Sequence, residues 1–292
     1  MSGDRDSAGP RTRGAAAPIG VFDSGIGGLT VVRQLLASLP GEDVLYFGDT
    51  ARVPYGIKSK ETVTRFSREN TQFLVRRGIK MLVVACNSAS AMALESLRRE
   101  FELPILGVIH PGATAAVRAT RSGKVGVIGT QATVGSRAYD RAIAELDPRV
   151  EVYSRPCPLF VPLAEEGWIQ GEVPERVAAE YLAPLLSAGI DTLILGCTHY
   201  PLLKAEIGTY MGPDVNLVDS AEALAEAAQG RLAELDLLRP DAVSGRAGEL
   251  SFVLSDIPWK FQEIGARFLG KPIADMQTVG LDEMEAAGHA IG

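Results

Sequence analysis

The sequence predicts an α/β fold with two pseudo-symmetric, doubly wound parallel-sheet domains and an active site in the cleft between them. Short apolar runs alternate with helix-length segments, which is typical of a parallel sheet covered by helices on both faces. Two of the runs, at 81–85 and 192–196, each end in a cysteine followed by hydrogen-bonding residues. Landmark residues also recur at similar spacing in the two halves, which favours two related domains.

Composition excludes several classes of protein. A chain of 292 residues is long enough for two domains, and 46% hydrophobic with 22% charged residues is typical of a soluble globular protein. The net charge of −7 provides no basic footprint for nucleic acid. The apolar runs are shorter than the roughly 20 residues that a membrane-spanning helix needs, and no signal-peptide core is present. We therefore expect a cytoplasmic protein without nucleic-acid or membrane partners.

The first predicted elements surround a glycine-rich turn. Residues 1–17, rich in Ser, Gly, Ala and Arg, predict a disordered tail. A strand at 19–22 then leads through the turn at 23–28 into a helix at 29–39. Free N–H groups at the helix start suit either a phosphate or a carboxylate. The turn lacks the last glycine of G-x-G-x-x-G, so the pattern is a weak match to a dinucleotide site.

The remaining elements follow the same alternation. In the first half they are a strand at 44–47, a turn at 53–56, a polar helix through 62–69, a strand ending at Cys86, a helix from about 88 and a strand at 104–109. In the second half they are a strand at 124–130, a stretch at 152–158 followed by 160–165, a helix through 181–186, a strand ending at Cys197, a strand at 216–219 and a helix at 220–235. A strand at 251–254 and a helix capped by Ser255 or Asp256, carrying Phe261, Ile264 and Phe268 on one face, complete the pattern.

The repeat predicts the domain boundaries. Asp23 to Pro54 and Thr130 to Val161 are each 31 residues apart, while Asp23 to Cys86 is 63 and Thr130 to Cys197 is 67. We expect residues 18–110 with 220–270 to form the first α/β domain and 111–219 to form the second as an insertion. Residues 271–292 are predicted to be a C-terminal tail.

Two of the three cysteines are candidate catalytic residues. The odd number and the absence of C-x-x-C spacing argue against a disulfide framework and a conventional zinc site. A zinc site from Cys86, Cys197 and His199 is conceivable but lacks the usual paired spacing. Cys157, between two prolines, is interpreted as a small buried hydrophobic residue. Cys86 and Cys197 instead end strands, where parallel sheets bind ligands and where a helix dipole lowers a thiol pKa.

A thiol on each wall of a cleft suits stereoinversion. A carbon between them can lose a proton to one face and gain one on the other. A nucleophilic cysteine hydrolase needs one cysteine with a histidine base and has no use for a second. His199, two residues after Cys197, either tunes that thiol or protonates substrate, or is a structural turn histidine.

Five motifs in order resemble those of the cofactor-independent glutamate racemases, within the aspartate/glutamate racemase family. They are DSGIGGL at 23–29, VPYG at 53–56, ACNSA at 85–89, VPLAEEG at 161–167 and LGCTHYP at 195–201. The resemblance covers about 19–270. Ser88 stands where the family more often has Thr, His110-Pro111 stands where Glu-Pro is expected, and the N-terminal tail has no counterpart.

The resemblance implies a role for each matching residue. Cys86 and Cys197 would be the acid/base pair, Asp23 would assist Cys86, and His199, held by Glu165, would assist Cys197. Polar groups that would hold the substrate map to Asp23, Ser24, Tyr55, Gly56, Asn87, Ser88, Thr130, Thr133, Thr198 and His199.

The implied activity is interconversion of L- and D-glutamate by proton transfer at the α-carbon, without pyridoxal phosphate or a metal. D-glutamate would supply peptidoglycan synthesis, and we also expect a homodimer. Aspartate racemase, which uses the same two thiols, is the nearest alternative. A catalytically inactive amino-acid-binding module with a two-lobed cleft is an alternative from a different class.

Overall fold

The structure is a computed structural model that describes residues 14–240 and 247–286. Its strands are β1 (Ile19–Asp23), β2 (Val44–Gly48), β3 (Met81–Val84), β4 (Ile105–Gly107), β5 (Lys124–Gly129), β6 (Glu151–Pro156), β7 (Thr192–Gly196), β8 (Asn216–Asp219), β9 (Leu250–Leu254) and β10 (Met276–Thr278). Its helices are α1 (Leu29–Ser38), α2 (Lys60–Arg76), α3 (Asn87–Glu100), α4 (Ile109–Ala119), α5 (Gln131–Gly135), α6 (Ala138–Leu146), α7 (Phe160–Glu166), α8 (Glu172–Ser187), α9 (Lys204–Met211), α10 (Ser220–Glu234), α11 (Phe261–Leu269) and α12 (Leu281–Ala286).

The strands form two all-parallel sheets with matching topology. The first sheet has the order β10-β9-β2-β1-β3-β4 and the second has the order β6-β5-β7-β8. The core order β2-β1-β3-β4 is therefore repeated by β6-β5-β7-β8, as the spacing of landmark residues predicted. Because all pairs are parallel, the carboxyl ends of β1 and β3 lie at one edge, as do those of β5 and β7.

Helices cover both faces of each sheet. All four residues of β3 are fully buried, which explains its uninterrupted apolar sequence. Successive strand residues alternate between two clusters, so that Val83 packs with α1, α10 and α11 while Val84 packs with α2, α3 and α12. The second sheet follows the same rule, with α7, α8 and α9 on one face and α4 and α6 on the other.

Two helices connect the halves. α10 packs on α1 of the first half and also on α4, and α4 packs on β7 and α6 of the second half. We propose the domain division predicted from sequence, with 18–110 and 220–270 in the first domain and 111–219 in the second, because the two sheets separate at these points.

The C-terminal part of the chain differs from its prediction. The tail expected from 271 instead includes β10, which pairs with β9, and α12. Val279 and Met284 are buried in the core of the first half, so this segment is held by apolar burial. Residues 287–292, and residues 1–13 of the predicted N-terminal tail, lie outside the described residues.

The prediction that Ser255 or Asp256 caps the last long helix was also wrong. α11 begins after Lys260, which has a positive φ of 69°, and neither Ser255 nor Asp256 caps it. Those two residues instead bond to the loop after β2: Ser255 accepts from the Ala51 N–H, and the Asp256 carbonyl accepts from the Thr50 hydroxyl.

The predicted strand at 104–109 ends at Gly107, and His110-Pro111 lie in the first turn of α4. A proline is tolerated there because the first helical N–H groups have no intrahelical acceptor. No helix in the described part of the chain combines the length and apolar character that a membrane crossing requires.

Candidate active site

One cavity of about 220 Å³ lies between the two sheets and is lined by both candidate cysteines. Cys86 follows β3 and directly precedes α3, and Cys197 follows β7. Both are almost completely buried, with 6% and 7% of their surfaces exposed. Cys157 is fully buried in the second half and is not among the residues that line the cavity. The fold therefore brings the two thiols that sequence singled out to one cavity and leaves the third thiol outside its lining.

Most of the other predicted residues reach the same cavity. It is lined by Ser24, Tyr55, Gly56, Asn87, Ser88, Thr130, Glu165, Thr198 and His199. Asp23 and Thr133 do not line it but lie directly behind it, fully or almost fully buried. Lining residues that the residue-by-residue mapping omitted are Gly25, Ile26, Val53, Pro54, Ile57, Gln131, Pro158, Val161 and Pro162. Most of these residues lie next to mapped residues in the same turns. Their position beside the motif residues could therefore have predicted that they line the cavity.

Cys86 has Ser24 and Asp23 as its polar neighbours. Its thiol donates to Ser24 Oγ over 3.7 Å. Asp23 is fully buried and accepts from the Gly25 N–H at 3.1 Å, while its other carboxylate oxygen has no partner among the described residues. Burial raises the pKa of the Asp23 carboxyl above its usual value. Gly28 permits this packing, because a Cβ there would lie 2.5 Å from Asp23 Cβ.

The predicted lowering of the Cys86 pKa was wrong. Burial, together with the Asp23 carboxylate, raises the pKa of the Cys86 thiol to about 12. The α3 N-terminus does act in the expected direction, since the Ala89 N–H favours the thiolate, but it is outweighed. Cys86 is therefore protonated at neutral pH in this structure.

Cys197 has a histidine and a carboxylate behind it. Its sulfur lies 3.8 Å from His199 Nδ1, and His199 Nε2 lies 2.9 Å from Glu165 Oε1. Burial opposes the charged imidazole, but the hydrogen bonds with Cys197 and Glu165 outweigh it and raise the pKa of His199 to about 10. The described geometry thus makes His199 an imidazolium at neutral pH that donates to both neighbours.

Two residues of α11 support this arrangement from the first half. The Phe268 ring meets the His199 ring edge-on, with centroids 5.1 Å apart. The Arg267 guanidinium donates to the Glu165 backbone carbonyl at 3.0 Å, near the C-terminal end of α7, where a cation is favourable. Sequence reasoning assigned neither residue this contact, because α11 is about 100 residues from α7 along the chain.

Hydroxyl groups join the two walls of the cavity. Ser88 Oγ of the first half lies 2.9 Å from Thr130 Oγ1 of the second, and Thr130 lies 3.1 Å from Thr133 Oγ1. Thr130 also caps α5 by accepting from the Thr133 N–H at 3.2 Å. These hydroxyls are short and fixed, so they can orient a small polar ligand at little entropic cost.

The hydroxyl of Tyr55 is engaged away from any ligand. It donates to the Asp49 carboxylate and accepts from Asn70 Nδ2 at 3.1 Å. Burial raises the pKa of Tyr55 well above its usual value, so the phenol stays protonated. Tyr55 and Gly56 thus line the cavity, but the Tyr55 hydroxyl is already hydrogen-bonded on two sides.

The cavity is lined by few charged side chains. None of the described residues that line the cavity is lysine or arginine, and its one cation is His199. Anionic groups would therefore be held by hydroxyls and by free N–H groups at the starts of α3 and α5. Within residues 14–240 and 247–286, no three His, Cys, Asp or Glu side chains are arranged to hold a metal ion.

Comparison with known proteins places this geometry in a family. The profile of the family described as Asp/Glu/Hydantoin racemase matches residues 19–228. The glutamate racemase of Geobacter metallireducens is 55% identical over 264 residues, covering 90% of this chain and 97% of that protein. The crystal structure of glutamate racemase from Francisella tularensis in complex with D-glutamate is 40% identical, with a TM-score of 0.85, and covers 92% of this chain and 99% of that one.

A second solved structure agrees closely. Glutamate racemase from Thermus thermophilus in complex with beta-chloro-D-alanine is 45% identical, has a TM-score of 0.84 and covers 92% of this chain and 99% of that one. Both structural matches extend across both sheets, so the likeness includes the cavity between them and is not limited to one half. The chain therefore belongs to the Asp/Glu/Hydantoin racemase family of isomerases.

Proposed function

We propose that this protein is a glutamate racemase that interconverts L- and D-glutamate by proton transfer between two cysteines and the substrate α-carbon. The observation that carries the proposal is that Cys86 and Cys197, from different halves of the molecule, line one small cavity. The names of its relatives and the D-glutamate complex of a structural neighbour support glutamate as the substrate.

The proton balance of the reaction requires one thiolate and one thiol at the start. The thiolate takes the α-proton from one face of the substrate, leaving a carbanion at the α-carbon and a neutral thiol. The opposite thiol then delivers its proton to the other face and becomes a thiolate. Each turnover therefore leaves the two sulfurs with exchanged protonation states, ready for the opposite enantiomer.

The neighbours of each thiol suit these roles. Cys86, with its raised pKa, is the proton donor when Cys197 is the base. In that direction the His199 imidazolium, 3.8 Å from Cys197, stabilises the Cys197 thiolate. In the reverse direction Cys86 must lose its proton, and the substrate ammonium group favours that loss by lowering the pKa of a nearby thiol.

The carbanion needs stabilisation from fixed dipoles. Hydroxyls and backbone N–H groups that hold the substrate α-carboxylate would also receive the charge that spreads into it during proton loss. Both thiols are almost completely buried, so little water competes at the atoms that exchange the proton. Each 1.36 kcal/mol of such stabilisation corresponds to about a tenfold increase in rate.

The direct test is formation of D-glutamate from L-glutamate by purified protein with no added cofactor. Cys86→Ala and Cys197→Ala should each lower turnover by about 10²- to 10⁴-fold or more, because general acid/base catalysis typically contributes a factor in this range. Cys157→Ala is the matched control and should remain active, because Cys157 does not line the cavity. Near-normal turnover in either cavity variant would refute the two-thiol mechanism.

Two further experiments distinguish this function from an inactive binding module and from an aspartate racemase. Turnover in deuterated water should introduce deuterium at the α-carbon, whereas glutamate binding without isotope exchange would indicate an inactive amino-acid-binding module. A parallel assay with L-aspartate should give little product, and a preference for aspartate would overturn the choice of substrate.

The wider role is also part of the proposal. D-glutamate made in the cytoplasm would supply peptidoglycan synthesis, so supplied D-glutamate should restore growth and cell shape to cells depleted of the protein. The proposed homodimer is tested by light scattering coupled to size-exclusion chromatography.

A further inference from the structure

A buried hydrogen-bond chain runs between the backbone segments that carry the two thiols. Asn87 Nδ2 donates to Tyr139 OH at 3.0 Å, Tyr139 OH lies 2.9 Å from Ser220 Oγ, and Ser220 Oγ donates to the Leu195 carbonyl at 3.0 Å. All four residues are at least 95% buried. We refer to these four residues as the Tyr139 chain.

The ends of the Tyr139 chain adjoin both candidate catalytic residues. Asn87 directly follows Cys86, and Leu195 lies two residues before Cys197. The two middle members belong to other elements, Tyr139 to α6 and Ser220 to the start of α10. The chain therefore joins the end of β3 in the first sheet to the end of β7 in the second.

The donor and acceptor of every link are determined by the last one. A carbonyl can only accept, so the single proton of Ser220 goes to Leu195. Tyr139 must then donate its proton to Ser220, and its oxygen must accept from the Asn87 amide. Burial raises the pKa of Tyr139, so the phenol keeps the proton that this order requires. The order leaves Asn87 Oδ1 as a buried acceptor without a partner among the described residues.

The Tyr139 ring provides a second, steric link to the Cys197 side. A Cβ placed on Gly196, the residue before Cys197, would lie 3.1 Å from Tyr139 Cε2. A Cβ placed on Gly112 of α4 would lie 3.3 Å from the Tyr139 hydroxyl oxygen. Tyr139 is therefore packed against small residues that leave no room for it to shift, and it touches the neighbours of both thiols.

We propose that Tyr139 and Ser220 are positioning residues that set the separation of Cys86 and Cys197, an inference that rests on the proposed two-thiol racemase function. Neither residue lines the main cavity, so neither touches the substrate. Their effect acts through Asn87 and the backbone at 195–196. Proton transfer to opposite faces of one carbon depends steeply on this separation, because small misplacements of a reacting group are costly.

The kinetic test uses Tyr139→Phe, Ser220→Ala and the double variant. Each single variant should lower kcat by about 10- to 100-fold with little change in KM, as expected for misplacement of a reacting group. The kinetic isotope effect on kcat, measured with α-deuterated glutamate, should be larger in these variants than in wild type, unless proton transfer alone already limits the wild-type rate. The reason is that proton transfer becomes slower in the variants. The double variant should be no worse than the worse single one, since either break interrupts the same chain.

The matched control is Tyr200→Phe, which also removes a buried tyrosine hydroxyl, one that donates to the Cys157 carbonyl at 2.7 Å. It should lose stability but keep its kcat and isotope effect. An equal loss of kcat in this control, or additive losses in the double variant, would overturn the proposal.

A second readout does not depend on activity. Hydrogen exchange measured by mass spectrometry should be faster at both 85–90 and 193–199 in Tyr139→Phe, and unchanged at 85–90 in Tyr200→Phe. Unchanged exchange at either segment in Tyr139→Phe would contradict the coupling even if the protein racemises glutamate. Failure of wild-type protein to racemise glutamate would refute the proposed function, while faster exchange at both segments would still support the link.

Discussion

Cys86 and Cys197 occupy equivalent places in the two halves, yet their polar neighbours differ in charge. The Asp23 carboxyl group and the Ser24 hydroxyl lie beside Cys86, whereas an imidazole paired with Glu165 lies beside Cys197. The pseudo-symmetry of the fold therefore does not extend to the side chains. Because the neighbours of the two thiols differ, the surroundings of each thiol can be tested separately.

Glu165→Gln should lower the pKa of His199 from its raised value of about 10, because the variant removes the carboxylate hydrogen bond. NMR titration of the His199 ring protons measures this directly. The raised pKa of His199 also makes the free energy of unfolding depend on pH. The pKa of His199 in the folded state exceeds the unfolded value of about 6.5, so its contribution to the free energy of unfolding is complete below pH 6.5. That contribution is lost as the pH rises toward 10, and the variant should show a weaker loss over this window.

Glu166→Gln is the matched control, since Glu166 is the adjacent, exposed carboxylate and does not line the cavity. Its histidine titration should match wild type. If Glu165→Gln left the His199 titration unchanged, the proposed support of the Cys197 side by Glu165 would be wrong.

The cavity wall formed by residues 53–57 is supported by one largely buried arginine, Arg52. Arg52 Nε lies 2.8 Å from Asp49 Oδ2, its guanidinium also contacts Glu69, and it donates to Asn70 Oδ1 at 2.9 Å. Asp49 and Asn70 in turn hold the Tyr55 hydroxyl. The start of α2 is capped separately by Ser59, so this cluster serves the turns more than the helix.

Arg52→Met should therefore destabilise the protein and weaken substrate binding together. Removing one partner of a largely buried ion cluster leaves carboxylates uncompensated, which costs about 3 kcal/mol of unfolding free energy. KM should rise because Tyr55 and Gly56 lose their support. Urea unfolding and steady-state kinetics measure the two effects.

Arg68→Met provides the control on the same stretch of chain. Arg68 pairs with Glu100 at 2.7 Å, but both side chains are substantially exposed. Exposed pairs contribute about 0–1 kcal/mol, so this variant should behave almost as wild type. Equal effects of the two substitutions would mean that burial of the Arg52 cluster is unimportant.

At the scale of the whole molecule, the cavity exists only because the two halves are held together. α4 and α10 pack between the halves, and the Ser88–Thr130 hydrogen bond joins the cavity walls directly. A ligand in this cavity contacts both halves at once. Ligand binding should therefore stabilise the two halves as one unit.

L- and D-glutamate should each raise the thermal midpoint of a Cys86→Ala, Cys197→Ala double variant, which cannot interconvert them. For a ligand at one hundred times its Kd, the expected stabilisation is about 2.7 kcal/mol. Differential scanning calorimetry over a glutamate series measures it, with one cooperative transition expected throughout. Two separate transitions, or stabilisation by only one enantiomer, would contradict a shared site.

The sequence alone determined the parallel α/β class, the strand-end positions of the two thiols and the family. These properties are local: burial on both faces is recorded in uninterrupted apolar runs such as 81–84, and each motif lies within four to seven consecutive residues. Helix α9 was missed because its segment carries no strong apolar period, and α6 was missed because its apolar face extends over only nine residues.

Only the tertiary structure decided the properties that depend on distances between residues remote in the chain. The pKa of Cys86 rises because folding buries it beside Asp23, 63 residues earlier, which a local helix-start argument does not include. The contacts of Arg267 with α7 and of Tyr139 with Asn87 and Ser220 likewise join segments that no period or motif relates. Desolvation and hydrogen bonding act through space, so the sequence identified the reacting groups while the fold decided their protonation and spacing.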